Sequence, residues 1–206
     1  LVYDEDDHGN RRECSNTSDQ IATVLPAFTD LEELLLQKSQ ATDLAMQYVG
    51  QLRPLRRLYM WDARVTDRGV ASLARLRRLE YLHISNAGIG DASLAALSGM
   101  PGLTGLGLQD NRFSDRGLAH LGRMRQLRTL WIGSRNDTIT DTGLSLLANL
   151  TNLEELDLQF CAITDQGLES LRGLKNLRRI YLGDTKVSEE GRRMLEGSIA
   201  GLKVEN

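Results

Sequence analysis

Leucine returns to the same place in this chain at a fixed interval. The anchors are Leu31, Leu55, Leu79, Leu103, Leu127, Leu153 and Leu177, so the step is 24 residues every time except one step of 26. Within each unit the apolar spacing changes. Along Leu153-Glu-Glu-Leu156-Asp-Leu158 apolar and polar residues alternate, which puts Leu156 and Leu158 on one face of a short strand. From Thr164, through Gly167, Leu168, Leu171 and Leu174, the interval becomes three and four, the period of a helix with one buried stripe. A strand and a helix repeated seven times predict a solenoid, in which each unit buries its apolar face only against its neighbours. The expected class is α/β, with a curved parallel sheet inside and seven helices outside.

Polar positions mark the boundaries of these elements. A threonine or serine precedes an acid at Thr42, Thr66, Ser114, Thr140, Thr164 and Ser188, with Gly90 as the one weaker cap. Such a residue caps a helix, and the acid after it suits the positive end of the helix dipole. Two places after the acid comes a small residue, Ala45, Gly69, Ser93, Gly117, Gly143, Gly167 or Gly191. Glycine is a poor helix former, so a close helix-to-strand approach is expected to require it. The slot holding Ala63, Ala87, Asn111, Cys161 and Thr185 is where the chain leaves the strand and needs a small or hydrogen-bonding side chain; Cys161 is therefore expected to be a buried small group. Thr17-Ser-Asp-Gln20 has the capping-box pattern and predicts a short helix through Ile21, Val24 and Leu25 that stops near Pro26. Arg192 replaces the usual helix leucine, and Leu202-Lys-Val204 reads as a last strand. One domain results, with residues 1–30 as N-terminal cap, 31–197 as seven repeats and 198–206 as C-terminal cap strand.

These slots resemble the leucine-rich repeat family over about 175 residues. The segments Val65–Val70, Ile139–Leu144 and Ile163–Leu168 look like its ribonuclease-inhibitor-like and cysteine-containing branches, and like bacterial leucine-rich repeat proteins with the same T-D-x-G-L signature. The resemblance implies a right-handed horseshoe with a concave parallel sheet and convex helices, and a role in protein binding. The opening Leu1-Val-Tyr-Asp-Glu-Asp-Asp-His-Gly-Asn10 is similar to a segment that follows a membrane anchor in those bacterial proteins, which implies an extracytoplasmic or membrane-anchored setting with the anchor upstream of Leu1. F-box substrate receptors share the helix start, but their helices usually end in cysteine where this chain has Leu76, Met100, Met124, Leu150 and Leu174.

Charge narrows the partner class. The net charge is -3, and residues 1–30 carry Asp4, Glu5, Asp6, Asp7, Glu13, Asp19 and Asp30 against Arg11 and Arg12, so the repeats are slightly basic. That balance exerts no bulk pull on nucleic acid or an anionic membrane. No run approaches the roughly 20 apolar residues of a membrane span. Cys14 and Cys161 lie far apart and do not make a disulfide framework. Acids at the helix starts, Asp43 to Glu189, are expected along one edge of the coil. Arg53, Arg56, Arg75, Arg77, Arg78, Arg123, Arg125, Arg128, Lys175 and Arg178 gather on the other. Helix-dipole compensation accounts for most of this two-sidedness. The basic edge also offers weak self-association through the acidic N-terminal segment of a neighbouring molecule.

Stacked parallel strands bring equivalent residues into columns about 5 Å apart. The column between the two strand leucines reads Leu35, Tyr59, His83, Gly107, Trp131, Asp157 and Tyr181. The one before it reads Glu33, Arg57, Tyr81, Gly105, Thr129, Glu155 and Arg179, and the one after reads Gln37, Trp61, Ser85, Gln109, Gly133, Gln159 and Gly183. A strand-exit row adds Lys38, Asp62, Asn86, Asp110, Ser134, Phe160 and Asp184. Six of the ten aromatic residues fall in these columns, a distribution suited to protein recognition because aromatic side chains bury large area at low entropy cost. Gly105 and Gly107 are expected either to open a recess with aromatic walls or to leave a gap that Trp131 fills. The extra residues of repeat five, within Gly133-Ser-Arg-Asn-Asp-Thr138, are expected at its rim.

Chemistry is sparse. His8, His83 and His120 are the only histidines, and Asp157 is three strands from His83, ~15 Å away. No nucleophile and base come together, no cofactor motif or metal ligand set stands out, and Asp62, Asn86 and Asp110 are better explained as turn residues than as calcium ligands. The sequence reads as a non-catalytic module that binds a protein or peptide on its concave face. Tyr59, Trp61, Tyr81, His83 and Trp131 would anchor the partner with Tyr181, while Arg57, Glu155, Asp157 and Arg179 set charge specificity. Alternatives are an F-box-like adaptor and an architectural or self-associating spacer.

Overall fold

The computed structural model describes residues 3–5, 11–13, 24–37, 41–133 and 138–206. Eight strands form one parallel sheet in chain order: β3 (Glu33–Gln37), β4 (Arg57–Trp61), β5 (Tyr81–Ser85), β6 (Gly105–Gly107), β7 (Thr129–Trp131), β8 (Glu155–Asp157), β9 (Arg179–Tyr181) and β10 (Lys203–Glu205). A two-stranded antiparallel sheet, β1 (Tyr3–Glu5) with β2 (Arg11–Glu13), precedes them. Among the described residues seven α-helices alternate with the parallel strands: α1 (Asp43–Val49), α2 (Asp67–Ser72), α3 (Asp91–Leu97), α4 (Asp115–Leu121), α5 (Asp141–Ser145), α6 (Asp165–Glu169) and α7 (Glu189–Ser198). The fold is an α/β repeat solenoid. Register follows the repeat, so Tyr59 pairs with His83, His83 with Gly107, Gly107 with Trp131, Trp131 with Asp157 and Asp157 with Tyr181.

The helix expected from Thr17 lies mostly outside the described residues, which there show a 3-10 turn at Leu25–Ala27. One apolar core runs from Leu25 to Leu202. Its strand side is the ladder Leu58, Leu82, Leu106, Leu130 and Leu156, each wholly buried. Cys161 is buried too, with Sγ 3.9 Å from the Ile132 carbonyl.

Each repeat caps the next one's helix. The Thr66 N–H and hydroxyl donate to the two carboxylate oxygens of Asp43, at 2.8 and 2.6 Å. The same pairing joins Ser114 to Asp91, Thr140 to Asp115, Thr164 to Asp141 and Ser188 to Asp165. The acid thus does more than offset a helix dipole, and this overturns the expected reason for the small residue two places after it. A Cβ at Gly69, Gly117, Gly143, Gly167 or Gly191 would strike the carboxylate of the preceding repeat's Asp. Close approach of that side chain, not of a strand, is what excludes larger residues. Repeat three shows the compensation: its cap Gly90 has no hydroxyl, and Ser93 supplies one to Asp67 at 2.6 Å.

The strand-exit row adopts the left-handed backbone conformation at Asp62, Asn86, Asp110, Phe160 and Asp184, with φ between 47 and 62°. Asn and Asp tolerate that region, which accounts for their presence as turn residues; Phe160 is the exception and stands 38% exposed. The basic edge is less free than its sequence implies. Arg56 bridges Glu32 and Glu80, Arg128 pairs with Glu154, and Arg178 donates to the Lys175 and Ala200 carbonyls. No helix among the described residues is long and apolar enough to cross a membrane.

Candidate functional site on the concave sheet

Alternation along each strand sends one set of side chains into the core and the other onto the concave surface. β4 and β5 show it directly, with Leu58, Met60, Leu82 and Ile84 buried and Arg57, Tyr59, Trp61, Tyr81, His83 and Ser85 partly exposed. On that surface the rings touch in sequence. Tyr59 and Tyr81 have centroids 5.2 Å apart, Tyr81 and Trp131 6.2 Å, Trp131 and His83 6.1 Å, and His83 and Trp61 5.6 Å. The five residues expected as anchors therefore form one continuous patch across β4 to β7. Tyr181 lies apart from it, beyond Asp157.

The recess expected over Gly105 and Gly107 is filled. Tyr81 lies over Gly105, where an added Cβ would meet its ring, and His83 lies over Gly107, with Nδ1 2.8 Å from where a Cβ would stand. Trp131 meets both rings edge-on from the other side. Because Leu106 points into the core and Gly105 and Gly107 leave the concave face of β6 without side chains, rings from β5 and β7, two strand spacings apart, close over its backbone. Both glycines are buried, so they shape the patch from beneath instead of opening a slot. The rim expected at 133–138 falls mainly on residues 134–137, outside the described residues.

Arg57 and Arg179 were expected to present charge. Each instead binds the acid one repeat earlier in its column, Arg57 to Glu33 at 2.7 Å and Arg179 to Glu155 at 2.6 Å. Glu155 also accepts the Trp131 indole N–H at 2.8 Å, which fixes the orientation of that ring. Opposite charges one repeat apart in a column were the available signal for these pairs. Asp157 accepts the Gln159 N–H at 2.9 Å and a hydrogen bond from the Gln109 side chain. Burial pushes its carboxyl above the usual range. Tyr81 is pushed up to about 12, chiefly by burial and then by Tyr59 and Glu155.

The sequence also gave no warning of the contact between His83 Nε2 and Ser85 Oγ, 3.1 Å apart on the same strand face. A hydroxyl beside an imidazole is half of a nucleophile and base arrangement, but here Nδ1 faces Gly107 and no carboxylate among the described residues orients the ring. The contact holds the imidazole in the patch.

Burial lowers the His83 pKa, because the buried site disfavours the imidazolium. The stability associated with neutral His83 is thus present above 6.5 and is lost as pH falls through the lowered value. The chain's two tryptophans are Trp61 and Trp131, both beside His83, so their fluorescence should report its protonation. The expected result is a quenching step with a midpoint below 6.5 that disappears in His83→Gln. A midpoint at or above that value would mean the imidazole is not desolvated.

A protein-family model described as a leucine-rich repeat matches residues 76–98 and 149–171. Among solved structures, an internalin (inlF) from Listeria monocytogenes is 26% identical with a TM-score of 0.74, over 93% of this chain and 51% of its own. The chain thus spans about half the length of that protein. An internalin C2 (inlC2) from the same organism is 23% identical with a TM-score of 0.62, over 89% of this chain and 82% of its own, a likeness of fold. No curated protein matches the chain. Leucine-rich repeats are thus matched at two places in the chain, and its stacked units of strand and capped helix share the fold of these internalins.

Proposed function

We propose that the chain is a non-catalytic recognition module that binds a protein or peptide on its concave sheet. The continuous patch of Tyr59, Tyr81, Trp131, His83 and Trp61 carries this reading. Large rings preorganised on a rigid sheet bury apolar area with little loss of side-chain freedom, and such groups dominate binding energy in protein interfaces. Concave surfaces of solenoids serve recognition generally, so the fold supports the same reading by analogy. Chemical crosslinking and pull-down with the wild-type chain as bait, against a Tyr59→Ala/Trp131→Ala variant, provides the test. Each ring is expected to contribute about 2 kcal/mol or more, so the double variant should retain under a tenth of the captured partner. Equal capture by both baits would leave the architectural spacer as the better reading.

A further inference from the structure

Trp131, Asp157 and Tyr181 are paired Cα to Cα across β7, β8 and β9. With neighbouring parallel strands about 4.8 Å apart, Asp157 starts between Trp131 and Tyr181 on the partly exposed face of the sheet, and its carboxylate lies beside Gly133 and the Gln159 N–H while the Trp131 ring turns toward Tyr81 and His83. The groups that hold it are neutral, the Gln159 N–H and the Gln109 side chain. The charges that act on it are acids, Glu155 and Asp110. Arg179, in the adjacent column, is committed to Glu155, and among the described residues Asp157 has no ion pair. Beside it, Gln109 Oε1 is buried without a hydrogen-bond partner. A partly desolvated carboxylate lacking a counter-charge is unfavourable, and the carboxyl here has its pKa raised by burial. Elsewhere in the columns the basic side chains Arg57 and Arg179 are neutralised, while Asp110 and Asp184 on the adjoining exit row add negative potential. This half of the concave face therefore complements a cation.

We infer that the Trp131–Asp157–Tyr181 column receives a basic side chain of the partner, so that the docking segment is a basic stretch of polypeptide. A guanidinium is the better match in shape, since its planar fork of N–H donors suits a carboxylate that lacks a counter-charge. The inference rests on the concave-face reading above and adds the chemistry of the occupant.

A randomised peptide library displayed on phage, selected on the immobilised full chain, tests it. Selected peptides are expected to be enriched in arginine and lysine over the unselected library. A synthesised peptide from that set should quench or enhance the fluorescence of Trp61 and Trp131 as it binds. Its affinity should fall about tenfold or more on Asp157→Asn, and equally on replacing the peptide's key basic residue with glutamine. The two losses should not add when combined, as expected of one contact. The asparagine still accepts the Gln159 N–H, and the peptide-side replacement leaves the fold untouched, so an altered melting temperature would not obscure the result. Peptides that bind in a Trp131-dependent way without basic enrichment, or with indifference to Asp157→Asn, would overturn the cation seat and leave the concave site standing. Selected peptides whose binding ignores both Tyr59→Ala and Trp131→Ala would remove the site and the seat together.

Discussion

Replacing Asn111 with alanine is expected to destabilise the chain by about 3–4 kcal/mol, although the substitution removes only one small polar side chain. Asn111 is buried, and its Nδ2 donates to the carbonyls of Ile84 at 2.7 Å, Leu108 at 2.9 Å and Gln109 at 3.2 Å. Its Oδ1 accepts the Ala87 N–H at 3.0 Å. One side chain thus satisfies backbone groups of repeat three and repeat four at once, and truncation leaves several of them buried without partners. Losing a buried partner carries the desolvation cost of each stranded group, roughly 1–3 kcal/mol, beyond the bond itself. In the same slot the Cys161 thiol, a weak donor, lies 3.9 Å from the Ile132 carbonyl, and Cys161→Ala is expected to destabilise less than Asn111→Ala. Guanidinium unfolding followed by circular dichroism measures both. Comparable losses at the two positions would mean that the slot acts through side-chain volume and that the hydrogen bonds are incidental.

The second large effect runs against helix propensity. Exchanging a helical glycine for a residue with a side chain usually gains a fraction of a kcal/mol, yet Gly143→Val is expected to destabilise by about 3–5 kcal/mol. A Cβ at that position would collide with Asp115 Oδ1 and stand 2.8 Å from Asp115 Cγ. Asp115 holds the Thr140 N–H at 2.8 Å and the Thr140 hydroxyl at 2.6 Å, so moving it uncaps the helix of the next repeat. The Ser93 arrangement suggests the rescue. In Gly143→Ser/Thr140→Gly the new hydroxyl replaces the removed one, as Ser93 does beside Gly90, and part of the loss suffered by Gly143→Ser alone should return. Thermal unfolding of the wild type, both single variants and the double variant tests this. A stabilised Gly143→Val would show that the carboxylate moves aside at no cost.

Much of the aromatic patch was legible in the sequence. The period of 24 residues places Tyr59, Trp61, Tyr81, His83 and Trp131 in neighbouring columns, and the structure brings their rings into contact. The recess over Gly105 and Gly107 was not legible, because a column specifies where a side chain starts and not where its ring comes to rest. Tyr81 and His83 turn toward the bare strand since nothing there resists them and the apolar backbone surface is covered when they do. The isolation of Asp157 likewise emerges only when Arg179 is seen to choose Glu155.

Spacing alone was enough to specify the solenoid, its alternating elements and its register, because a side chain's facing follows from a period of two or 3.6 and burial forces like units to stack. Contacts between repeats answered to three-dimensional packing instead. Asp115 reaching Thr140, Asn111 reaching Ile84 and three rings closing over β6 join residues more than 20 positions apart through rotamers and short distances. Local periodicity carries no information about those choices, since each is settled by which neighbouring groups remain unsatisfied or uncovered once the coil has formed.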